Sequence, residues 1–116
     1  MVLTMTHEEK PIGWLHGEIK TPPFSAEARL EAGSLLGRLQ QGENLGMPHS
    51  RPMPVIGPRC HELRVNDKSK TWRVIYRIDA DAILVLDVLE KKTRETPQIV
   101  IESCRRRLKL YEGVMP

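Results

Sequence analysis

Aromatic side chains are scarce: two Trp, two Tyr and one Phe among 116 residues. A surface that binds single-stranded nucleic acid by stacking needs a ring for each of several successive bases. Phe24, Trp14, Trp72, Tyr76 and Tyr111 are instead explained by core packing, which argues against a base-stacking platform. Cysteine is confined to Cys60 and Cys104, without CxxC spacing. That argues against a disulfide framework and fits free thiols in a reducing compartment. The four histidines, His7, His16, His49 and His61, lack the spacing of a structural zinc site, and no metal or other cofactor is expected. No apolar run approaches the length needed to cross a bilayer. The opening MVLTMTHEEKP lacks the apolar stretch of a secretory signal. A soluble, cytoplasmic protein with no membrane partner is the expectation.

What is present is a chain of one-domain size, large enough to bury a core without staples. Its charge is uneven. Residues 1–50 carry four Lys/Arg against six Asp/Glu, whereas residues 51–116 carry fourteen against nine. A basic half can face a polyanion while the acidic half faces something else; a solvated surface is the plainer reading.

The hydrophobic pattern changes along the chain. Residues 1–11 are polar and read as a loose arm. Residues 12–20 can form a strand anchored by Trp14 and ended by Pro22 and Pro23. Ser25 suits an N-cap. Ala28, Ala32, Leu35, Leu36 and Leu39 then recur at helical spacing, in a region that Gly42 ends and Gly33 can break. Residues 43–58, with Pro48, Pro52, Pro54 and Pro58, read as a connecting loop. From Arg59 the period becomes two. Cys60, Glu62 and Arg64 share one face, with His61, Leu63 and Val65 on the other. Trp72, Val74, Tyr76 and Ile78 oppose Arg73, Ile75 and Arg77. Residues 83–89 are almost continuously apolar, as in a central strand. Short turns between these strands predict an antiparallel meander. Thr96 and Pro97 can open a last helix with Ile101, Cys104, Leu108 and Tyr111 buried. Arg105, Arg106, Arg107 and Lys109 crowd its expected C-terminal end, where they can serve the helix dipole or bind RNA.

Strand-borne arginines suggest a chemistry. RNA is cut without metal when its 2′-hydroxyl attacks the adjacent phosphorus and the 5′-oxygen leaves. The reaction needs a base, an acid, and fixed cations for the charge on the phosphorane. Arginine fits the last task because its planar fork pairs with two phosphate oxygens. Arg64 and Arg73 lie on neighbouring predicted strands, and Lys91 and Lys92 follow the third. Glu62 can serve as the base or simply pair with Arg64 or Arg73. His61 is a second candidate base, on the Leu63 side of its strand.

The ordered segments GPRCHELRV, TWRVIYRID, AILVLDVLEKKTRETP and SCRRRLKLY, with LGRLQQGENLGMPHSRPMPVIG upstream, resemble the HigB-like, phage-derived branch of the RelE/ParE toxin superfamily across residues 12–111. The resemblance implies an α+β domain, with N-terminal helices on a twisted antiparallel sheet and a C-terminal helix. It implies the toxin of a type II toxin–antitoxin pair: a metal-independent endoribonuclease that cuts mRNA at the ribosome, partnered by a helix-turn-helix, HigA-like antitoxin. A ParE-like gyrase inhibitor, or a weakly active copy that acts in an antitoxin complex, is the alternative on the same fold. By position the resemblance assigns cleavage roles to Arg64, Arg73 and Lys92, with Lys91 the adjacent candidate. Together with the reading of the residues, the expected catalytic set is Arg64, Arg73, Lys92 and Glu62, and RNA contacts are expected from Lys91, Arg77, His61 and Arg94. Two departures stand out. Glu62 replaces a lysine of the best-known members, and Gln98 lies near the place of a tyrosine that completes their site.

Overall fold

The computed structural model describes residues 9–114. The elements are β1 (Ile12–Trp14), α1 (Ala26–Gln40), β2 (Ser50–Pro52), β3 (Cys60–Asp67), β4 (Lys70–Ile78), β5 (Ile83–Glu90) and α2 (Gln98–Val114). They form one five-stranded sheet in the order β1-β5-β4-β3-β2. The α+β expectation holds, and so does the antiparallel β3-β4-β5 meander. The sheet as a whole is mixed, however, because β1 runs parallel to β5 at one edge. Ile83 N–H donates to Pro11 and Leu15 N–H to Val85. No short turn joins β1 to β5, so local sequence carries no record of this pairing.

Period-two alternation sends apolar side chains to both faces of the sheet. Leu63, Val65, Trp72, Val74, Tyr76, Ile83 and Val85 pack with Phe24 and the buried stripe of α1, namely Ala28, Ala32, Leu35, Leu36 and Leu39. Cys60, Ile75, Leu84 and Leu86 face the other way, towards Ile101, Cys104 and Leu108 of α2. The sheet is thus sandwiched between one helix on each face. Each fully buried Leu or Ile contributes roughly 1.5–3 kcal/mol, so the two cores together anchor both helices.

The hinge between the α1 layer and the β3–β4 turn is Asp67. Its Oδ2 accepts the Ser25 N–H and the Trp72 Nε1–H, at 2.9 and 2.8 Å. Ser25 Oγ in turn accepts the Ala28 N–H and caps α1. Phe24 stacks on Trp72 with centroids 4.2 Å apart. These contacts lower the Asp67 carboxyl pKa from 3.8 to about 2; the Ser25 backbone hydrogen bond is the largest cause, followed by the Trp72 indole.

Other expectations change. Helix α1 runs through Gly33 unbroken, since its buried stripe and cap outweigh one glycine. Residues 43–58 contain an edge strand, β2, that pairs with β3. Trp14 anchors nothing; β1 is three residues long and leaves the ring 45% exposed. The arm spans described and undescribed positions. Residues 1–8 lie outside the described residues, but Lys10 is pinned by two hydrogen bonds to Gln40, whose carbonyl accepts its N–H and whose Nε2 donates to its carbonyl. Helix α2 continues to Val114, so Arg105, Arg106, Arg107 and Lys109 sit in mid-helix and its last turn holds no cation. The dipole reading of that cluster fails. The Thr96 hydroxyl does not cap α2; it donates to Glu62.

One irregularity in β5 matters for the site. The β4–β5 register shifts between Ile75 and Tyr76, pairing Ile75 with Asp87 but Tyr76 with Val85. Leu86 is the extra residue of a bulge. Leu86 packs in the α2-side core, and Asp87 also meets α2, through Arg107. Arg107 Nη1 donates to the Leu86 carbonyl at 2.9 Å and lies 3.2 Å from the Asp87 carboxylate, fastening the bulge to α2. Past the bulge the parity of side chains along β5 is reversed.

Candidate active site

The α2 face of β2, β3 and β4 carries a buried carboxylate ringed by arginines. Glu62 has no exposed surface. The register sets Arg51 opposite Glu62 and Arg64 opposite Arg73, so all four side chains rise from one face. Glu62 Oε1 receives Arg51 Nε at 3.2 Å and Arg64 Nε at 3.1 Å. Its Oε2 accepts the Thr96 hydroxyl at 3.0 Å and lies 3.2 Å from Arg73 Nε. That last contact is close in distance but off line for a hydrogen bond, and it leaves Arg73 Nε–H the buried side-chain donor without a partner among the described residues. Three guanidinium groups around one carboxylate leave two uncompensated positive charges.

The catalytic role expected of Arg73 needs a guanidinium free to meet a phosphate. Arg73 is instead fully buried. Its Nη2 donates to the carbonyls of Thr93 and Arg94, at 2.9 and 2.8 Å, and its Nη1 reaches Thr96 Oγ1 at 3.4 Å. Burial lowers the Arg73 pKa; Glu62 opposes this, while Arg51 and Arg64 add to it. The forked donor set that would suit a phosphate is spent on the segment between β5 and α2. Glu62 likewise has both oxygens engaged and no solvent-facing surface, so it is placed as an ion-pair hub rather than as a base. The plainer reading of Glu62, pairing with Arg64 and Arg73, is the one the coordinates show.

Arg64 keeps 26% of its side chain exposed. It lines an open polar cavity of about 340 Å³ with His49, Asn66, Thr71, Lys91, Glu31 and Pro48. His49 adjoins β2, and its carbonyl accepts the Arg64 N–H at 2.8 Å. Its ring makes no hydrogen bond to the described protein. Lys91, also without a side-chain partner among the described residues, is held at its backbone by the Thr71 carbonyl.

The sequence named Lys92 as the catalytic lysine and Lys91 as its neighbour, but it is Lys91 that lines this cavity; Lys92 is exposed. The bulge at Leu86 is the reason. Uninterrupted alternation from Ile83 would turn Lys92, not Lys91, to the face of Arg64.

The remaining expected contacts lie apart. His61 stacks on Tyr76, centroids 5.4 Å apart, on the α1 face. Its Nδ1 is 3.1 Å from the Arg59 carbonyl. Arg77 is four positions along β4 from Arg73 and is buried, gripped by Asp79 through Nε and Nη2 and by Glu112 through Nη1. Burial works against its charged form, but those hydrogen bonds outweigh it and raise the pKa. Arg94 is exposed, and its carbonyl rather than its guanidinium serves the network. Sequence reasoning passed over His49 and Arg51. Both depend on β2, a short strand hidden in a proline-rich segment.

Among the described residues, no group of three or more His, Cys, Asp or Glu is placed to hold a metal ion, and no helix is long and apolar enough to cross a membrane. Residues 22–109 match the model of the family described as phage-derived protein Gp49-like (DUF891). The chain belongs to that family. The match includes the whole arginine cluster and the cavity beside it. The Gp49-like family is associated with RelE/HigB-type toxins, so membership is consistent with the toxin of a toxin–antitoxin pair. No curated protein matches the chain.

Proposed function

We propose that this Gp49-like protein is a HigB-like toxin that cleaves single-stranded mRNA by internal attack of the 2′-hydroxyl. The observation that carries the reading is the convergence of His49, Arg64 and Lys91 on one open cavity, backed by a buried ion network with excess positive charge. A cavity that presents cations and an imidazole suits a phosphodiester. Arg64 contributes a guanidinium fixed by Glu62, and Lys91 a mobile point charge. Both neutralise the phosphorane as negative charge grows on its oxygens. His49 takes the 2′-proton, since an imidazole exchanges protons near neutral pH. The 2′-O–P bond forms, the P–O5′ bond breaks, and the leaving 5′-oxygen takes a proton from Lys91 or water. The products are a 2′,3′-cyclic phosphate and a 5′-hydroxyl. The chemistry requires no metal.

Arg73 and Glu62 are positioning residues here. Glu62 orients Arg64, and Arg73 ties the segment that follows Lys91 to the sheet. On this reading a helix-turn-helix antitoxin is the partner and the translating ribosome the place of action.

The test is cleavage of a defined RNA in excess chelator, with His49→Ala, Arg64→Ala and Lys91→Ala beside the wild-type protein. Removal of a fixed donor or a proton-transfer group costs on the order of 10²-fold or more in rate. His49→Ala is expected to lose at least that much while melting like wild type; Arg64→Ala loses at least that much in rate and also some stability, because it breaks a charge-assisted hydrogen bond to the buried Glu62. Wild-type rates in both variants would refute the assignment. Growth arrest with intact mRNA but trapped gyrase would move the protein to the ParE-like class.

A further inference from the structure

At the other end of the α2 face lies a second cavity, of about 240 Å³, lined by Gly57, Arg77, Arg105, Leu108, Lys109 and Glu112 among others. Arg105 and Lys109 are four apart on α2, so they project from the same side of the helix. Both are exposed, and neither has an ion-pair partner among the described residues. The buried Arg77 sends Nη1 towards this cavity, where the largely exposed carboxylate of Glu112 accepts it at 2.7 Å. Its other donors are held bidentately by Asp79. The cavity therefore presents two cations without ion-pair partners among the described residues and one guanidinium donor that a largely exposed carboxylate now occupies.

Between the two cavities stands Arg51, with 34% of its side chain exposed. It pairs with Glu62, midway along β3 between Arg64 and Cys60, and Cys60 is the cross-strand partner of Arg77. Four residues of strand separate the two ends, about 13 Å at roughly 3.3 Å per residue. A single strand a few nucleotides long spans that gap.

We propose that the cavity between α2 and residues 56–58 is a second phosphate subsite, and that it holds the backbone of the same RNA strand a few nucleotides from the phosphate at Arg64. Arg105 and Lys109 contact the phosphate, the phosphate displaces Glu112 from Arg77, and Arg51 bridges the interval. This proposal rests on the RNA reading of the Arg64 cavity. The subsite carries no base contacts, so it adds affinity and register rather than sequence preference.

Fluorescence anisotropy with 2′-O-methyl RNA of mixed sequence tests it, because the methyl group blocks self-cleavage. A dinucleotide reaches one subsite and a hexanucleotide reaches both. The Arg105→Ala/Lys109→Ala double variant is expected to bind the hexanucleotide about tenfold or more weakly at low salt, with a shallower salt dependence by roughly one phosphate contact. Its dinucleotide affinity stays at the wild-type value. Glu112→Gln tightens hexanucleotide binding, whereas Glu102→Gln, the same charge change elsewhere on α2, does not. A double variant with wild-type hexanucleotide binding, or equal shifts from Glu112→Gln and Glu102→Gln, would overturn the subsite. If Arg64→Ala weakens the dinucleotide while the double variant is silent, only the subsite falls. If wild type binds neither oligonucleotide, the RNA reading falls and the subsite with it.

Discussion

Replacing Arg73 with alanine tests whether this strand arginine is a catalytic group or a structural one. The substitution removes two charge-assisted hydrogen bonds, 2.9 and 2.8 Å long, to the carbonyls of Thr93 and Arg94. Hydrogen bonds to charged groups contribute roughly 1.5–3 kcal/mol each. It also removes the ion pair with Glu62, but Glu62 keeps Arg51, Arg64 and Thr96. The carboxylate is therefore not orphaned, and the loss belongs at the lower end of the roughly 3–5 kcal/mol typical of a broken buried pair. For a domain whose whole stability is about 5–15 kcal/mol, that is a large fraction. A loss near 3 kcal/mol lowers the urea midpoint by about 1–3 M at the usual slope of about 1–3 kcal/mol/M. Trp72, buried beside Phe24, gives the fluorescence signal. Arg73→Lys keeps the charge but has no planar fork to span both carbonyls, so it should recover about half of the loss or less. A fall of less than about 1 kcal/mol in Arg73→Ala, in the face of those lost contacts, would mean that the segment 93–96 is held by something else and that Arg73 is free to serve substrate.

Two further outcomes follow from the interior. Asp67→Asn should flatten the acid limb of stability: the wild-type carboxyl has a folded pKa of about 2 against an ordinary 3.8, so the unfolded chain binds the extra proton and stability drains away as pH falls from about 4 to about 2. Thermal melts across that range check it, and identical limbs in both proteins would contradict the Asp67 contacts. Cys104 is fully buried, and desolvation, helped by Asp87, pushes its pKa up to about 12. Mass spectrometry after iodoacetamide at pH 8 should therefore find it unmodified in the folded protein and modified in denaturant; prompt native alkylation would show that the α2-side core opens.

Much of the architecture was legible because it is local. The alternation in β3 and β4 assigns each side chain a face, and the short turns enforce antiparallel pairing. Ser25 and the Ala28–Leu39 spacing place α1. The cationic character of the Glu62 face could be read the same way, including the Arg64–Arg73 neighbourhood. What escaped was non-local. The bulge in β5 leaves no clear trace in an almost continuously apolar run, yet it decides which of two adjacent lysines lines the cavity. Strand β2 is three residues amid prolines and exists only because β3 offers an edge, so His49 and Arg51 acquire their positions from a partner about 11 to 15 residues away in the register that pairing sets.

By itself, the sequence determined which residues share a face of the sheet and that one such face is rich in arginine, because side-chain direction along a strand follows from chain geometry alone. Only the tertiary structure decided which of those arginines stay accessible. The segment leading into α2 folds over Arg73 and takes its donors, and Glu62 is sealed beneath it; Arg64 sits one strand nearer the edge, where nothing covers it fully. Solvent access depends on what other parts of the chain stack above a face, and no local pattern encodes that.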